Sequence, residues 1–319
     1  MVVEQSDGPA APRRPGRAVA AMAVLVSVLL AFHSAVPNMA AHLGSLLEAF
    51  LPWVGLAVPV LLIPALLRRS ALALGALALP AATWLVLFGG QLLPAHRGAA
   101  HDLTVVQHNI SDENPDPAGS ARSLARTGAD LLALEELIPA ALPAYEAVLT
   151  PVYPYHAVVG TVGLWSKYPL VDSRPVDIKP KDLEADWNRG LRSTLRTPHG
   201  DTAVYVAHLP SVRIGVRGFS SGRRDESAVA LGAALAAEPL ERVILLGDFN
   251  STLDDRGLAP VTSRMTPAES GFGFSWPAAF PLARIDHIMT RAATPTDTWT
   301  LPATGSDHLP IAASIKLSP

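Results

Sequence analysis

The stretch Val243-Ile244-Leu245-Leu246-Gly247-Asp248-Phe249-Asn250 decides how the rest of the chain is interpreted. Four branched apolar residues closed by a glycine predict a strand that is buried on both faces. Asp248 and Asn250 are two residues apart and therefore lie on the same side of an extended backbone. Oxygen-bearing side chains at the end of a rigid strand suit a hard cation or a phosphate. An ordinary Asp/Asn turn is the alternative interpretation of the motif alone.

The composition divides the 319 residues into two parts. Residues 1–100 carry six Arg, no Lys and three acidic residues, which leaves 19 basic and 25 acidic residues, a net charge of −6, for residues 101–319. The chain has no cysteine, which excludes disulfides, thiolate catalysis and cysteine-zinc sites. The two parts are therefore expected to lie in different environments, residues 1–100 largely in a membrane and residues 101–319 in water.

Three apolar runs follow a polar segment, 1–17, that we predict to be a disordered cytoplasmic tail. The runs cover about 18–36, 50–67 and 71–93, and each is long enough to cross a hydrocarbon core of about 30 Å. We therefore predict three transmembrane helices within 18–95. Two spans, or a cleaved signal peptide followed by two spans, are the alternatives.

The positive charges predict the orientation of these helices in the plasma membrane. Arginines precede the first run and separate the second from the third, whereas the loop around 37–44 has no Lys or Arg (Arg13, Arg14, Arg17, Arg68 and Arg69). The N-terminus is therefore predicted to be cytoplasmic. The domain that follows the third helix, 101–319, is predicted to be extracytoplasmic.

Residues 101–319 show many short strand patterns and few helical ones. Strands are predicted at 102–107, 129–134, 163–166, 190–196, 202–208, 243–246, 285–289 and 310–315, and helices at 120–127, 139–149 and 225–237. Hairpin signals such as Gly200-Asp201 link several strands. This arrangement predicts an α+β domain with two packed, mostly antiparallel sheets flanked by helices.

Polar residues recur at the ends of these predicted strands. Each has an ordinary structural explanation as a turn or capping residue. Their repetition after apolar strands of one domain instead predicts a common site, made of Asn109, Glu136, His208, Asp248, Asn250, Asp286, Asp307 and His308.

Seven motifs that contain these residues occur in an order that resembles the endonuclease/exonuclease/phosphatase (DNase I-like) superfamily. They are Val106-Gln107-His108-Asn109, Ala133-Leu134-Glu135-Glu136, Trp165-Ser166-Lys167-Tyr168-Pro169, Ala207-His208-Leu209, Gly247-Asp248-Phe249-Asn250, Arg284-Ile285-Asp286-His287 and Gly305-Ser306-Asp307-His308-Leu309-Pro310. The resemblance covers essentially all of 101–319. It implies a four-layer sandwich fold and divalent-metal-dependent hydrolysis of phosphoric esters or pyrophosphates.

The resemblance also implies a metal site and its ligands. Glu136 would be the principal ligand of Mg²⁺ or Mn²⁺, with Asn109 and Asp307 near the metal. Hard oxygen ligands, few in number, suit a cation that keeps waters and binds a substrate phosphate. Glu135 stands where the family usually has Gln, so Glu135 is the alternative ligand.

The remaining residues would carry the reaction. By resemblance, His308 would be the general base or the transition-state partner and Asp286 would orient it. Asp248 and Asn250 would position the attacking water, and His208 would bind a phosphoryl oxygen. We interpret His287, which stands where the family often has Tyr, as structural. Six arginines are either phosphate-binding groups or solvated surface charges (Arg189, Arg192, Arg213, Arg217, Arg223 and Arg224).

The predicted substrate follows from charge and from the apolar region. A nuclease usually presents a basic surface, which a net charge of −6 does not favour. Helices before an outward-facing domain resemble VanJ-type proteins linked with teicoplanin resistance, a glycopeptide resistance. This resemblance implies as partners the lipid bilayer and a phosphorylated lipid or cell-envelope substrate. An anchored extracellular nuclease that binds nucleic acid and a non-catalytic binding module are the alternatives.

Overall fold

The structure is a computed structural model that describes residues 16–39, 41–93, 98–216 and 218–317. Most of the predicted tail 1–17, together with Arg97 and Arg217, lies outside the described residues. The described chain forms two compact units, one made of residues 16–33 and 51–89 and the other of residues 34–50 and 90–317. The second unit contains a segment, 34–50, that the sequence analysis assigned to the membrane region.

Eight α-helices occur in the described residues. They are α1 (Arg17–Ala31), α2 (Leu43–Ala49), α3 (Ala57–Leu67), α4 (Ala71–Phe88), α5 (Pro117–Ala125), α6 (Leu142–Leu149), α7 (Gly222–Ala237) and α8 (Ala259–Thr262). Short 3₁₀ helices at His33–Ala35, Leu51–Leu56, Gly89–Leu92 and Arg256–Leu258 extend or connect them. Helices α1, α3 and α4 belong to the first, apolar unit.

The apolar unit has fewer helices of spanning length than we predicted. One described helix, Ala71–Leu92, is long and apolar enough to cross a membrane, and the pair Leu43–Ala49 and Leu51–Leu67 passes the same test only as one span bent by 73°. Helix α1 has 15 residues, and the α-helical part of the second run has 11 because it begins as a 3₁₀ helix. The prediction of three full-length transmembrane helices is therefore wrong for the described residues.

Fourteen strands occur among the described residues of the second unit, which we call the catalytic unit. They are β1 (Leu103–Asn109), β2 (Leu131–Glu135), β3 (Tyr155–Val159), β4 (Val162–Ser166), β5 (Leu170–Pro175), β6 (Gly190–Thr197), β7 (Gly200–Ala207), β8 (Ile214–Gly215), β9 (Gly218–Phe219), β10 (Val243–Asp248), β11 (Thr266–Pro267), β12 (Asp286–Arg291), β13 (Thr294–Thr300) and β14 (Ile311–Lys316). Two six-stranded sheets have the orders β13-β14-β1-β2-β4-β3 and β11-β12-β10-β7-β6-β5. Each sheet contains one parallel pair, β1/β2 or β7/β10, and is otherwise antiparallel.

The two sheets pack face to face and helices cover their outer sides. The core between the sheets contains residues such as Val105 and Leu131 from the first sheet and Ile244 from the second. Helices α5 and α6 pack on the first sheet, whereas α7 and α8 pack on the second. This helix–sheet–sheet–helix arrangement confirms the predicted α+β sandwich and its mostly antiparallel sheets.

The parallel pairs position the ends of the central strands. Strand β10 approaches β7 so closely that a Cβ on Gly247 would lie 1.9 Å from the carbonyl oxygen of Ala207. Only glycine fits at that position. Strands β1 and β2 end in register at Asn109 and Glu135. The carboxyl ends of both parallel pairs therefore supply the polar residues that follow.

Candidate active site

The ends of strands from the two sheets meet across the sandwich. The Nδ2 atom of Asn109, at the end of β1, donates to Oδ2 of Asp248, at the end of β10, over 2.9 Å. The loop before β14 is fixed to the same strand end, because Ser306 donates its hydroxyl to the backbone oxygen of Asn109 at 2.7 Å and accepts from the His308 amide at 3.0 Å. Residues from β1, β10 and the last loop are thus held together.

Asp248 is buried and accepts hydrogen bonds from Asn109 and Asn250. The backbone N–H of Asn250 donates to its Oδ1 at 2.9 Å, while Asn109 binds the other oxygen. Burial, together with the charge of Asp286, raises the pKa of Asp248 to about 7, although His308 and the two hydrogen bonds oppose this rise. Asn250 has a left-handed backbone with φ 47°. The carboxylate of Asp248 is therefore fixed in position and can exchange a proton near neutral pH.

His308 and Asp286 form a buried pair. Nδ1 of His308 donates to Oδ2 of Asp286 at 2.9 Å, and Ser275 and Gln107 also donate to this carboxylate, at 2.5 Å and 3.0 Å. Burial alone would lower the pKa of His308, but Asp286 and Asp248 outweigh it and raise the pKa to about 10. The imidazole is therefore charged at neutral pH. Its Nε2 lies 3.8 Å from Oδ2 of Asp248.

The two adjacent glutamates after β2 have different surroundings. Glu135 is fully buried and accepts from Nε2 of Gln107 at 2.7 Å, and burial first of all raises its pKa well above the ordinary value. Glu136 has a left-handed backbone with φ 58°, its side chain is 26% exposed, and it lines the cavity described below. The structure therefore brings Glu136, and not Glu135, to the open side of the site.

His208 follows β7 and is buried beside Arg189. Nη1 of Arg189 lies 3.2 Å from Nδ1 and 3.4 Å from Nε2 of the imidazole. Burial and then the charge of Arg189 lower the pKa of His208 well below its usual value, so the ring is neutral. Its Nε2 lies 3.8 Å from Glu136 and 3.7 Å from Asp248. His208 thus adjoins both carboxylates.

The open carboxylates fit a hard cation. Glu136 accepts one backbone N–H, that of Asp112 at 3.2 Å, and Asp307 is exposed and accepts from Nε1 of Trp276 at 3.3 Å. Both carboxylates line the same cavity. The amide of Asn109 is engaged on both sides, because its oxygen accepts from the Ser111 amide at 3.0 Å. Glu136 and Asp307 therefore match the expected donor set better than Asn109 does.

A second group of potential ligands lies deeper. Donor atoms of Asp248, Asp286 and His308 lie within 4.8 Å of one another. Asp286 already accepts three hydrogen bonds, and His308 uses Nδ1 for one of them. Because Nδ1 of His308 is engaged with Asp286, the ring has only Nε2 left for a further partner. We therefore assign this pair to orienting the histidine.

The site opens into a cavity of about 560 Å³. The polar residues that line it are Glu136, Ser211, Arg213, Asp248, Asn250, Ser251, Thr252, Asp307 and His308. The other lining residues, which we call the apolar wall, are Ala49, Phe50, Val212, Ile214, Phe219, Trp276, Ala283 and Ile285. Sequence reasoning missed this wall, because isolated apolar residues in loops carry no pattern that marks them as cavity-lining.

The six candidate arginines have different environments. Arg213 lines the cavity and Arg189 contacts His208. Arg192 and Arg224 are buried in ion pairs with Glu238 and Asp255, respectively, and Arg223 pairs with Asp182 on the surface. Among the five described arginines, one therefore lines the cavity and a second contacts a predicted site residue.

Comparison with known proteins identifies the family. The model of the Endonuclease/Exonuclease/phosphatase family matches residues 82–308. The chain belongs to this family. No curated protein matches the sequence.

Solved structures share the fold of this family member. Beta toxin from Staphylococcus aureus has 16% sequence identity and a TM-score of 0.56, covering 66% of this chain and 99% of its own. Sphingomyelinase C from Streptomyces griseocarneus has 21% identity and a TM-score of 0.51, covering 66% and 98%. D. rerio TDP2 in complex with a single-strand DNA product has 18% identity and a TM-score of 0.56, covering 67% and 98%.

One similar structure also contains a metal. It is a beta toxin mutant with bound magnesium ions, at 16% identity and a TM-score of 0.54, covering 67% of this chain and 99% of its own. At such identities the likeness shows the fold alone. Family membership and the donor set of Glu136 and Asp307 together support a phosphoester hydrolase that uses a divalent metal.

Proposed function

We propose that this protein hydrolyses a phosphate ester or pyrophosphate bond in a lipid-linked or cell-envelope substrate outside the cytoplasm. One observation carries the proposal. A single cavity is lined both by the Glu136, Asp248 and His308 side chains and by eight apolar residues. Such a cavity suits a substrate that has a phosphate and an apolar group.

The side chains support a direct attack of water on phosphorus. Asp248, held by Asn109 and the Asn250 amide, has a pKa of about 7 and can take the proton of the attacking water. The imidazolium of His308, oriented by Asp286, stabilises the negative charge that grows on the phosphoryl oxygens. Because His308 is already protonated at neutral pH, it is better suited to stabilising charge than to accepting a proton as a general base.

The metal would be held at the open carboxylates. Glu136 and Asp307 would bind Mg²⁺ or Mn²⁺ at the edge of the cavity. A bound divalent ion supplies charge neutralisation for the phosphoryl group. The neutral His208, between Glu136 and Asp248, offers a hydrogen bond to a phosphoryl oxygen.

Membrane anchoring belongs to the same proposal. The helix Ala71–Leu92 is long and apolar enough to span a bilayer. The arginines of the N-terminal segment favour a cytoplasmic N-terminus and an extracytoplasmic catalytic unit. The proposal includes the role in glycopeptide resistance that the VanJ-type resemblance implies.

Phosphate release by the full-length protein in detergent tests the proposal. Polyprenyl pyrophosphate, phospholipids and plasmid DNA are offered with Mg²⁺ or Mn²⁺, beside His308→Ala. Lipid turnover that disappears in His308→Ala supports the proposal. Cleavage of DNA without lipid turnover would instead identify an anchored nuclease, and no turnover of any substrate would favour a binding module.

A further inference from the structure

Segment 34–50 is bound to the rest of the catalytic unit through an ion pair between the buried Glu48 and the partly exposed Arg256. Glu48, near the end of α2, is 1% exposed. Its two carboxylate oxygens accept from Nε and Nη2 of Arg256 at 2.8 Å and 2.7 Å, and the Arg256 amide donates to Oε2 at 3.0 Å. Nη1 of the same arginine donates to the Val36 carbonyl at 2.9 Å. Arg256 therefore holds both ends of the segment.

The segment also pairs with the small β8–β9 hairpin. The Phe219 amide donates to the Ala41 carbonyl at 2.9 Å, and Oγ of Ser221 lies 3.0 Å from Nδ1 of His42. Gly218 has φ +96°, and a Cβ there would lie 2.3 Å from the Ala41 Cβ. The hairpin and the segment therefore fit together without room for a side chain at Gly218.

These contacts bring the end of the segment to the site. Ala49 and Phe50 line the active-site cavity together with Phe219 and Ile214 from the hairpin and Ile285 beside Asp286. Arg213 is the one cationic side chain among the residues that line this described cavity apart from His308. Phe50 is half-buried, so part of its ring is available to a ligand.

We propose that Ala49, Phe50, Ile214, Phe219 and Ile285 form an apolar subsite that binds the hydrocarbon chain of the phosphorylated substrate, with Phe50 determining specificity. The inference deepens the proposed function and rests on it. Glu136 and His308 line the same cavity as these apolar residues, so the organic group of a substrate whose phosphate binds at Glu136 and His308 has this apolar surface within reach. An uncharged chain gains free energy there by leaving water. A polynucleotide carries further phosphates, and the cavity lining offers only the single arginine Arg213 to neutralise them. The lining therefore favours an uncharged chain.

The chemistry of the wall predicts a dependence of affinity on chain length. Each methylene that becomes fully buried raises affinity by roughly fourfold, and partial burial by roughly twofold. A series of n-alkyl phosphates, from ethyl to octyl, therefore probes the subsite directly. Only the chain differs between members of the series, so the contribution of the phosphate cancels.

Calorimetric titration of the full-length protein in lipid nanodiscs with Mg²⁺ tests the proposal. We expect affinity to rise with chain length in the wild type and to lose most of that rise in Phe50→Ser. Phe50→Leu should keep it, because leucine retains an apolar surface. Val229→Ser, at an exposed residue of α7 outside the cavity, is the matched control and should behave as the wild type. Empty nanodiscs correct for partition of the chains into lipid.

Two outcomes overturn the subsite. One is an affinity that does not depend on chain length in the wild type. The other is a chain-length dependence that Phe50→Ser leaves intact. Thermal unfolding of each variant separates loss of fold from loss of binding. If Phe50→Ser does not fold, Ile214→Ser, at an exposed member of the subsite, provides the test and should also weaken the dependence on chain length.

Failure of the proposed function gives a different result. In that case the wild type binds longer alkyl phosphates more tightly but does not release phosphate from any lipid. The subsite then stands as a binding site and the hydrolytic assignment falls. If instead the wild type hydrolyses lipid substrates and the substitution of Phe50 changes neither affinity nor turnover, the proposed function stands and the subsite falls.

Discussion

A single backbone angle separates the two glutamates that follow β2. Glu135 is the last residue of the strand and is buried against Gln107, whereas Glu136, with φ 58°, turns into the cavity. Sequence reasoning preferred Glu136 by resemblance and left Glu135 as the alternative. It could not decide because a left-handed non-glycine residue has no signature in sequence.

Metal affinity should distinguish these two residues. We expect Glu136→Gln to weaken Mn²⁺ binding roughly tenfold or more, because it removes a charged ligand at the cavity. The matched change Glu135→Gln should weaken it far less, since that carboxylate does not reach the cavity. Calorimetric titration of Mn²⁺ measures both. Equal losses in the two variants would contradict the assignment of Glu136.

His308 should be essential for the reaction. Removing a positioned acid–base or charge-stabilising group costs typically about 10²- to 10⁴-fold in rate. We therefore expect His308→Ala to lower kcat by that factor with its circular dichroism unchanged. His199→Ala, at a half-exposed histidine that pairs with Asp102, is the control and should retain activity. Activity of His308→Ala within a few-fold of wild type would refute the role.

At the scale of elements, one buried triad joins α7 to the second sheet. Glu238, just after α7, accepts from Arg192 of β6 at 2.9 Å and 3.0 Å and from Tyr205 of β7 at 2.7 Å. Sequence analysis considered Arg192 a possible phosphate ligand. The structure shows it as the partner of Glu238, a contact between residues 46 apart that no local pattern reveals.

The triad predicts sensitivity to acid. Burial alone would raise the pKa of Glu238, but the bonds from Arg192 and Tyr205 outweigh it and lower the pKa to about 2. The ionised carboxylate is favoured by folding, because the pKa of Glu238 is about 2 in the fold and 4.5 in the unfolded chain. Its contribution to the free energy of unfolding, about 3 kcal/mol, is present above pH 4.5 and is lost as the pH falls from about 5 to 2.

Denaturant unfolding as a function of pH checks this prediction. The wild type should lose stability over that pH range, and Glu238→Gln should already be less stable at pH 7 and show a flatter profile below pH 5. Asp201→Asn, in the more exposed pair with Arg196, serves as the control. A profile of Glu238→Gln that parallels the wild type would exclude Glu238 as the source.

The ion pair of α2 should hold the helix in place. Glu48 is buried and Arg256 is partly exposed, so removing the Glu48 charge should cost more than breaking an exposed pair, which contributes about 0–1 kcal/mol. We therefore expect Glu48→Gln to accelerate hydrogen exchange in residues 41–50. Asp182→Asn, which breaks the exposed pair with Arg223, should not alter exchange around its own position. Unchanged exchange in Glu48→Gln would show that other contacts hold α2.

At the scale of the whole molecule, the sequence predicted the sandwich well and the apolar region poorly. The strands of both sheets were predictable because a buried sheet face requires apolar residues at alternate positions, and a strand buried on both faces requires a continuous apolar run. The lengths of the apolar runs overestimated the helices, since the run after Phe50 starts as a 3₁₀ helix and α1 ends at Ala31. Hydropathy measures polarity and not helical continuity.

The predicted site residues meet in space, but the wall of the cavity was not predictable. Glu136, Asp248, Asn250, Asp307 and His308 line one cavity. Their motif positions carry chemical information, whereas Phe50 is an ordinary aromatic residue at the start of an apolar run. Its place depends on contacts of segment 34–50 with residues about 200 positions away, such as Glu48 with Arg256, which are 208 apart.

Removal of metal should abolish activity without unfolding the molecule. Glu136 and Asp307 lie at the cavity, whereas the two sheets are held by apolar cores. We expect chelation by EDTA to stop phosphate release and excess Mg²⁺ or Mn²⁺ to restore it, with circular dichroism constant throughout. A loss of secondary structure on chelation would indicate a structural metal.

The membership of segment 34–50 in the catalytic unit has a consequence for biosynthesis. The ribosome makes Glu48 208 residues before Arg256, so the segment emerges long before its partners exist. Domains generally fold as units during synthesis. This unit cannot complete its fold when segment 34–50 emerges, because the partner of Glu48 has not yet been made. Placement of Ala49 and Phe50 in the cavity wall therefore waits for Arg256, and the active site is complete only after His308 has also been made.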